Sequence, residues 1–141
     1  MSTLKKSWAL PTAGYRKFIA SVLSYALSKE LDRKKFEVVH EGNIDLHNPE
    51  SDTPDVIVYD KKNNASPALI VELCFNNNEE DTLRTVEIIR ELYAVKEAFV
   101  YNIEADTWKC FTPDEVVFTS TSNLFKIELN ELLSTYLHRY I

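Results

Sequence analysis

Residues 68–75 read ALIVELCF, seven apolar residues interrupted by one acid, Glu72. The run is too short for a buried helix and shows no alternation of apolar and polar positions. It therefore predicts a strand covered on both faces, at the centre of a sheet. A strand of that kind needs a layer of structure above and below it, which points to an α/β architecture. The glutamate inside it is a second constraint. A carboxylate in a central strand loses hydration, so it must be paired, protonated or bound to a cation.

The rest of the chain supplies the layers. Tyr15, Phe18, Ile19, Val22, Leu23, Ala26 and Leu27 keep a three-four spacing, which predicts a helix with one core-facing stripe. Thr12 is a plausible N-cap for it, and residues 1–11 read as an arm ending at Pro11. Residues 36–41 (FEVVHE) and 55–60 (DVIVYD) read as strands, separated by a polar loop over 45–54. After 68–75, Asn78 is a candidate N-cap, with Glu79, Glu80 and Asp81 in the first turn of a second helix. Leu83, Val86, Ile89, Leu92 and Tyr93 form its stripe. Residues 97–103 and 107–111 read as strands, 116–119 and 124–128 as short edge strands. Leu129, Leu132, Leu133, Tyr136, Leu137 and Tyr140 mark a last helix. The order α-β-β-β-α-β-β-α predicts one domain over 1–141 with a central mixed sheet flanked by helices. The 68–103 piece should be a parallel crossover, and the earlier strands antiparallel.

Charge and cysteine content narrow the class. The net charge is −6, but residues 1–35 carry +6 and the remainder −12. A basic front of this kind suits phosphate, although a solvated helix face and a charged turn account for it equally. Cys74 and Cys110 both fall in strand-like runs and read as reduced thiols in a cytoplasmic protein. The N-terminus lacks the apolar segment of a signal peptide, and no window is apolar enough for a membrane span. Gly14 and Gly42 are the chain's two glycines, so there is no glycine-rich phosphate loop. The cysteines and His40, His47 and His138 give no zinc spacing.

Asp55 opens its strand directly after Pro54. If its strand neighbours the one holding Glu72, two carboxylates meet at one end of the sheet. A divalent ion would relieve their repulsion, and hard oxygen ligands suit Mg2+ or Mn2+. At these residues the chain resembles the PD-(D/E)XK (restriction endonuclease-like) nuclease superfamily. Pro54–Asp55 matches the first half of the signature, and Glu72-Leu73-Cys74 occupies the second. Residues 97–102 (EAFVYN) are similar to the strand after the core helix in a bacterial group of endonuclease-like proteins within that superfamily. The resemblance covers roughly residues 36–102 and implies a restriction endonuclease-like fold. It also implies a metal-dependent endonuclease hydrolysing phosphodiester bonds in DNA. Asp55 and Glu72, with Glu41 as a third candidate, would hold the metal, which would polarise a phosphoryl oxygen and activate water.

One position departs from the signature. Cys74 stands where the motif has lysine, on the same strand face as Glu72. A thiol brings no positive charge. Some relatives take the cation from the following helix, where Arg84 and Arg90 are available; arginine neutralises charge but is a poor base. The candidate catalytic residues are thus Asp55, Glu72, Cys74 and Arg84. Blander roles stand beside them: a turn or cap for Asp55, a structural ion pair for Glu72, a solvated strand end for Glu41, and an inert thiol for Cys74. The competing function is an inactive nuclease-fold module for binding or regulation, as a homodimer. The expected partners are DNA or a second copy of the chain, with no membrane.

Overall fold

A computed structural model of the chain describes residues 13–63 and 65–140. The arm over 1–11 and the Thr12 cap lie outside them. The described part of the first helix, α1, spans Ala13–Glu30, and β1 (Phe36–His40) follows after a tight charged turn. β2 (Val56–Asp60) and β3 (Ser66–Cys74) come next, then α2 (Glu79–Leu92), β4 (Glu97–Asn102) and β5 (Thr107–Phe111). The two-residue strands β6 (Val116–Val117), β7 (Thr121–Ser122) and β8 (Ile127–Glu128) precede α3 (Leu129–Leu137).

The main sheet has the order β1-β2-β3-β4-β5-β6. The crossover through α2 makes β3 and β4 parallel, and every other neighbouring pair is antiparallel. β3 and β4 therefore lie at the centre, as the nearly all-apolar run requires. Side chains alternate across the sheet. Leu69, Val71 and Leu73 join a core beneath α1 and α3, together with Leu23, Leu27 and Leu133. Ile70 and Cys74 join a second core beneath α2, with Val86 and Ile89. The architecture is thus a mixed α/β fold, a central and mostly antiparallel sheet with helices on both faces.

Several local expectations change. Asn78 occupies the N-cap position of α2 but makes no side-chain cap. Its Oδ1 instead accepts the Phe75 N–H at 2.9 Å, closing the turn that leaves β3. Leu92, assigned to the α2 stripe, is 68% exposed, and Tyr140 is exposed as well. Both stand at helix ends that overrun the core. The expected edge strand over 124–128 shortens to β8 and pairs with β7 in a separate ribbon. Glu97 explains that ribbon. Its buried carboxylate accepts Ser122 Oγ at 2.7 Å and the N–H groups of Asn123 and Leu124 at 2.8 and 3.1 Å.

Candidate active site

The last register pair at one end of β2 and β3 is Val56 with Val71, which sets Asp55 and Glu72 opposite each other just beyond it. Alternation places Asp55 with Ile57 and Tyr59, and Glu72 with Ile70 and Cys74, on the α2 face. Two acids far apart in sequence are therefore neighbours on one side of the sheet. The Asp55 N–H donates to Glu72 Oε1 at 3.1 Å, and Asp55 Oδ2 accepts the Leu73 N–H at 2.8 Å. The Asp55 carboxylate is 2% exposed, whereas Glu72 is half-buried.

The side chain that balances them is Arg16. It stands on α1, which packs against the opposite face, yet its Nη1 lies 3.2 Å from Asp55 Oδ1 and 3.4 Å from Oδ2. One cation thus faces two acids. Burial, and then the hydrogen bond and negative charge of Asp55, push the Glu72 carboxyl up to about 9; Arg16 offsets only part of this. Glu72 therefore holds its proton more tightly than an ordinary carboxyl, and it is Asp55 that pairs with the guanidinium.

A cleft of about 500 Å³ opens onto this group, lined by Arg16, Glu41, Asp52, Thr53, Asp55, Glu72, Thr85 and Ile89. Its rim is held in place. Glu41 adopts a left-handed conformation (φ 57°) as the chain leaves β1, and its N–H donates to the Asp55 carbonyl at 3.1 Å. At Gly42 an added Cβ would sit 2.4 Å from a Val39 methyl, so the turn needs glycine. The following loop is anchored by Tyr59, whose hydroxyl donates to the Asn43 carbonyl at 2.6 Å, and by Ser51, which accepts the Asp45 N–H at 3.1 Å.

The sequence candidates separate into two groups. Asp55 and Glu72 meet, and Glu41 lines the same cleft as an exposed wall residue. Among the described residues, no three or more Asp, Glu, His or Cys side chains are close enough to hold a metal ion together. Glu41 therefore does not complete a three-ligand shell with the pair. Cys74 is fully buried under α2, outside the cleft lining, and burial pushes its thiol up to about 12. Such a thiol is neither cation nor nucleophile at neutral pH. Arg84 sits on the exposed side of α2, bonded to Asp81 at 2.5 Å and near Glu80 at 3.8 Å. The helix turns by about 100° per residue, and it is Thr85, not Arg84, that reaches the cleft wall. Arg90 lies 3.8 Å from Glu91 and does not line the cleft either.

The donor set fits a small hard cation. Both available ligands are carboxylate oxygens, drawn together by the backbone and short of positive charge. Mg2+ commonly takes one or two protein carboxylates and fills its other positions with water or phosphate.

Comparison with known proteins adds the fold. No protein-family model matches the chain, and no curated protein does. A solved structure from Anabaena variabilis ATCC 29413, a "putative nuclease belonging to DUF820", superimposes with a TM-score of 0.65 over 89% of this chain and 83% of its own, at 12% identity. The chain therefore shares the fold of that structure.

Proposed function

We propose that the chain is a metal-dependent endonuclease of the PD-(D/E)XK type, acting on DNA phosphodiester bonds at the Asp55–Glu72 cleft. The observation that carries the reading is the meeting of two acids at neighbouring strand positions, one of them 2% exposed and paired with Arg16, with an open cleft in front. Asp55 and Glu72 would hold Mg2+ or Mn2+. The ion, when bound, supplies Lewis-acid polarisation of a phosphoryl oxygen and an activated water. Asp55 is held for this by the Leu73 N–H, and Glu72 by the Asp55 N–H; Glu72 would give up its proton to take the ion. Arg16 supplies the positive charge that Cys74 does not, oriented toward the pair from α1. As a permanently charged guanidinium it steadies negative charge on a bound phosphate but does not take up a proton.

The nuclease similarity of the solved structure supports this reading at the level of fold. A second reading has its own support: the motif lysine is replaced by a buried thiol, and Arg16 already neutralises Asp55. On that reading the chain is an inactive binding or regulatory module. Calorimetric titration with MnCl2 and MgCl2 separates the two. The nuclease reading expects heat of binding that disappears in Asp55→Ala and in Glu72→Ala, and plasmid nicking lost in the same variants. Metal binding unchanged by both substitutions refutes the site. Metal binding without nicking selects the inactive module.

A further inference from the structure

A second charged feature lies at the far end of the same strands. The turn from α1 to β1 and the turn from β2 to β3 come together there. The Lys61 N–H donates to the Lys35 carbonyl at 2.9 Å, and Lys61 Nζ to the Arg33 carbonyl at 2.7 Å. This brings Arg33, Lys34, Lys35, Lys61 and Lys62 to one exposed corner of a chain whose net charge is −6. Among the described residues, none of the five lies within ion-pairing distance of a carboxylate, whereas Arg16, Arg84 and Arg90 all do. Two of the local acids, Asp32 and Asp60, accept the backbone N–H groups of Lys34 and Lys62 and so build the turns, keeping their negative charge beside the bases. A cavity of about 280 Å³ opens at the corner between α1 and β1, with Arg33 and Lys61 in its wall and Glu37 on the β1 side. Unpaired like charges held together by backbone bonds repel one another, and a polyanion removes that cost.

The corner also has a defined distance from the cleft. Both sites are lined by α1 and by β1 or the residue that follows it, the cleft through Arg16 and Glu41, the corner through Ser28 and Phe36. Twelve helical residues from Arg16 to Ser28 rise about 18 Å. Six strand residues from Asp55 to Lys61 span about 20 Å. Between Ala13 and Lys29, α1 contains no acid that would interrupt the path.

We propose that this corner is a backbone-binding site for nucleic acid, gripping phosphates about six base pairs, at ~3.4 Å each, from the bond presented to the Asp55–Glu72 cleft. The proposal rests on the phosphodiester substrate of the preceding reading, but it is tested without cleavage. Binding of the full chain to a fluorescent DNA duplex of about 20 base pairs is followed by anisotropy in EDTA, from about 50 to 200 mM salt. For the triple variant Lys34→Gln/Lys35→Gln/Lys62→Gln, the slope of log K against log salt is expected to fall by about 2–3, near 0.9 per lost phosphate contact. The control Lys96→Gln/Lys126→Gln should leave the slope unchanged, and Asp55→Ala should still bind. An equal fall in the control, no fall in the triple variant, or no duplex binding at the lowest salt each overturns the proposal. Loss of nicking in Asp55→Ala with binding intact bears on the cleft alone, so the two readings fail separately.

Discussion

The proton on Glu72 gives the sharpest test of the cleft's electrostatics. Folding raises the Glu72 carboxyl to about 9, chiefly through burial and the neighbouring Asp55. The folded state therefore binds a proton that the unfolded chain has released. The stability linked to that proton is complete below the ordinary carboxylate range and is lost as pH rises toward the folded value. For one proton the slope cannot exceed about 1.4 kcal/mol per pH unit. From pH ~5 to ~8 that bounds the loss at about 4 kcal/mol. Glu72 is half-buried and opens to a water-filled cleft, so water and local relaxation will screen much of it, leaving about 1–2 kcal/mol.

Glu72→Gln isolates the effect. The amide copies the protonated acid: it still accepts the Asp55 N–H, keeps a donor toward the Asp55 carboxylate, and does not titrate. Urea unfolding of both proteins at several pH values, with EDTA present, gives the difference directly. The other ionisable groups are common to both proteins, so their contributions cancel. The two should be equally stable near pH ~5, and the wild type should fall behind by about 1–2 kcal/mol by pH ~8, with unchanged m-values. A difference that stays flat across this range refutes the reasoning, because Glu72 would then be ionised throughout and Arg16 would be neutralising both acids. Adding MnCl2 at the upper pH should close the gap in the wild type and not in Glu72→Gln, by preferential binding to the folded state.

Other expectations are simpler. Arg16→Ala leaves a buried carboxylate without its cation and should cost about 1–2 kcal/mol, less than a fully buried pair because the arginine is one-third exposed; Arg16→Lys should recover part of it, both read from urea midpoints. Glu97→Ala removes an acceptor of three hydrogen bonds and should cost about 2–4 kcal/mol in the same assay. Tyr59→Phe releases the loop that forms the cleft rim, at about 1–2 kcal/mol, with faster amide exchange at residues 43–52. Cys74 and Cys110 are buried with thiols pushed up to about 12, so native labelling by a thiol reagent should be slow and become complete on unfolding.

Local patterns made the sheet legible but hid part of the site. A strand-length run that is apolar at all but one position belongs at the centre, and the crossover from β3 to β4 follows from the helix between them. Asp55 and Glu72 were visible because an acid at a buried strand position demands a partner. The same logic applied to Glu97 marks a second buried acid, overlooked because it stands at a strand's first residue. Arg16 was also within reach: one turn before Ile19 and Ala20, it lies in line with Leu23 and Leu27 on the buried stripe of α1. A cation there has to meet an anion. Arg84, downstream of the signature, is instead pointed to solvent by its helix. The left-handed Glu41 and the two-residue β7 carry no periodic signal, because tertiary contacts set them.

Charge counting then shows what the cleft lacks. With Glu72 protonated, the Asp55 carboxylate and the Arg16 guanidinium cancel, and the group is neutral. Removing the proton leaves one net negative charge, which repels a phosphodiester. Exchanging the proton for a divalent ion leaves one net positive charge on these three side chains, equal and opposite to that of one phosphodiester, with Glu41 and Asp52 on the exposed rim outside the count. On the proposed reading, Glu72's proton holds the place of the metal, and Arg16 supplies the surplus charge that makes the loaded cleft attractive to phosphate. Arg16→Ala should therefore spare metal binding, or strengthen it by removing a competitor for Asp55, while weakening capture of the phosphate. If Arg16→Ala instead abolishes Mn2+ binding in calorimetry without unfolding the chain, the guanidinium is part of the scaffold that aligns the acids, and this division of charge between ion and arginine is wrong.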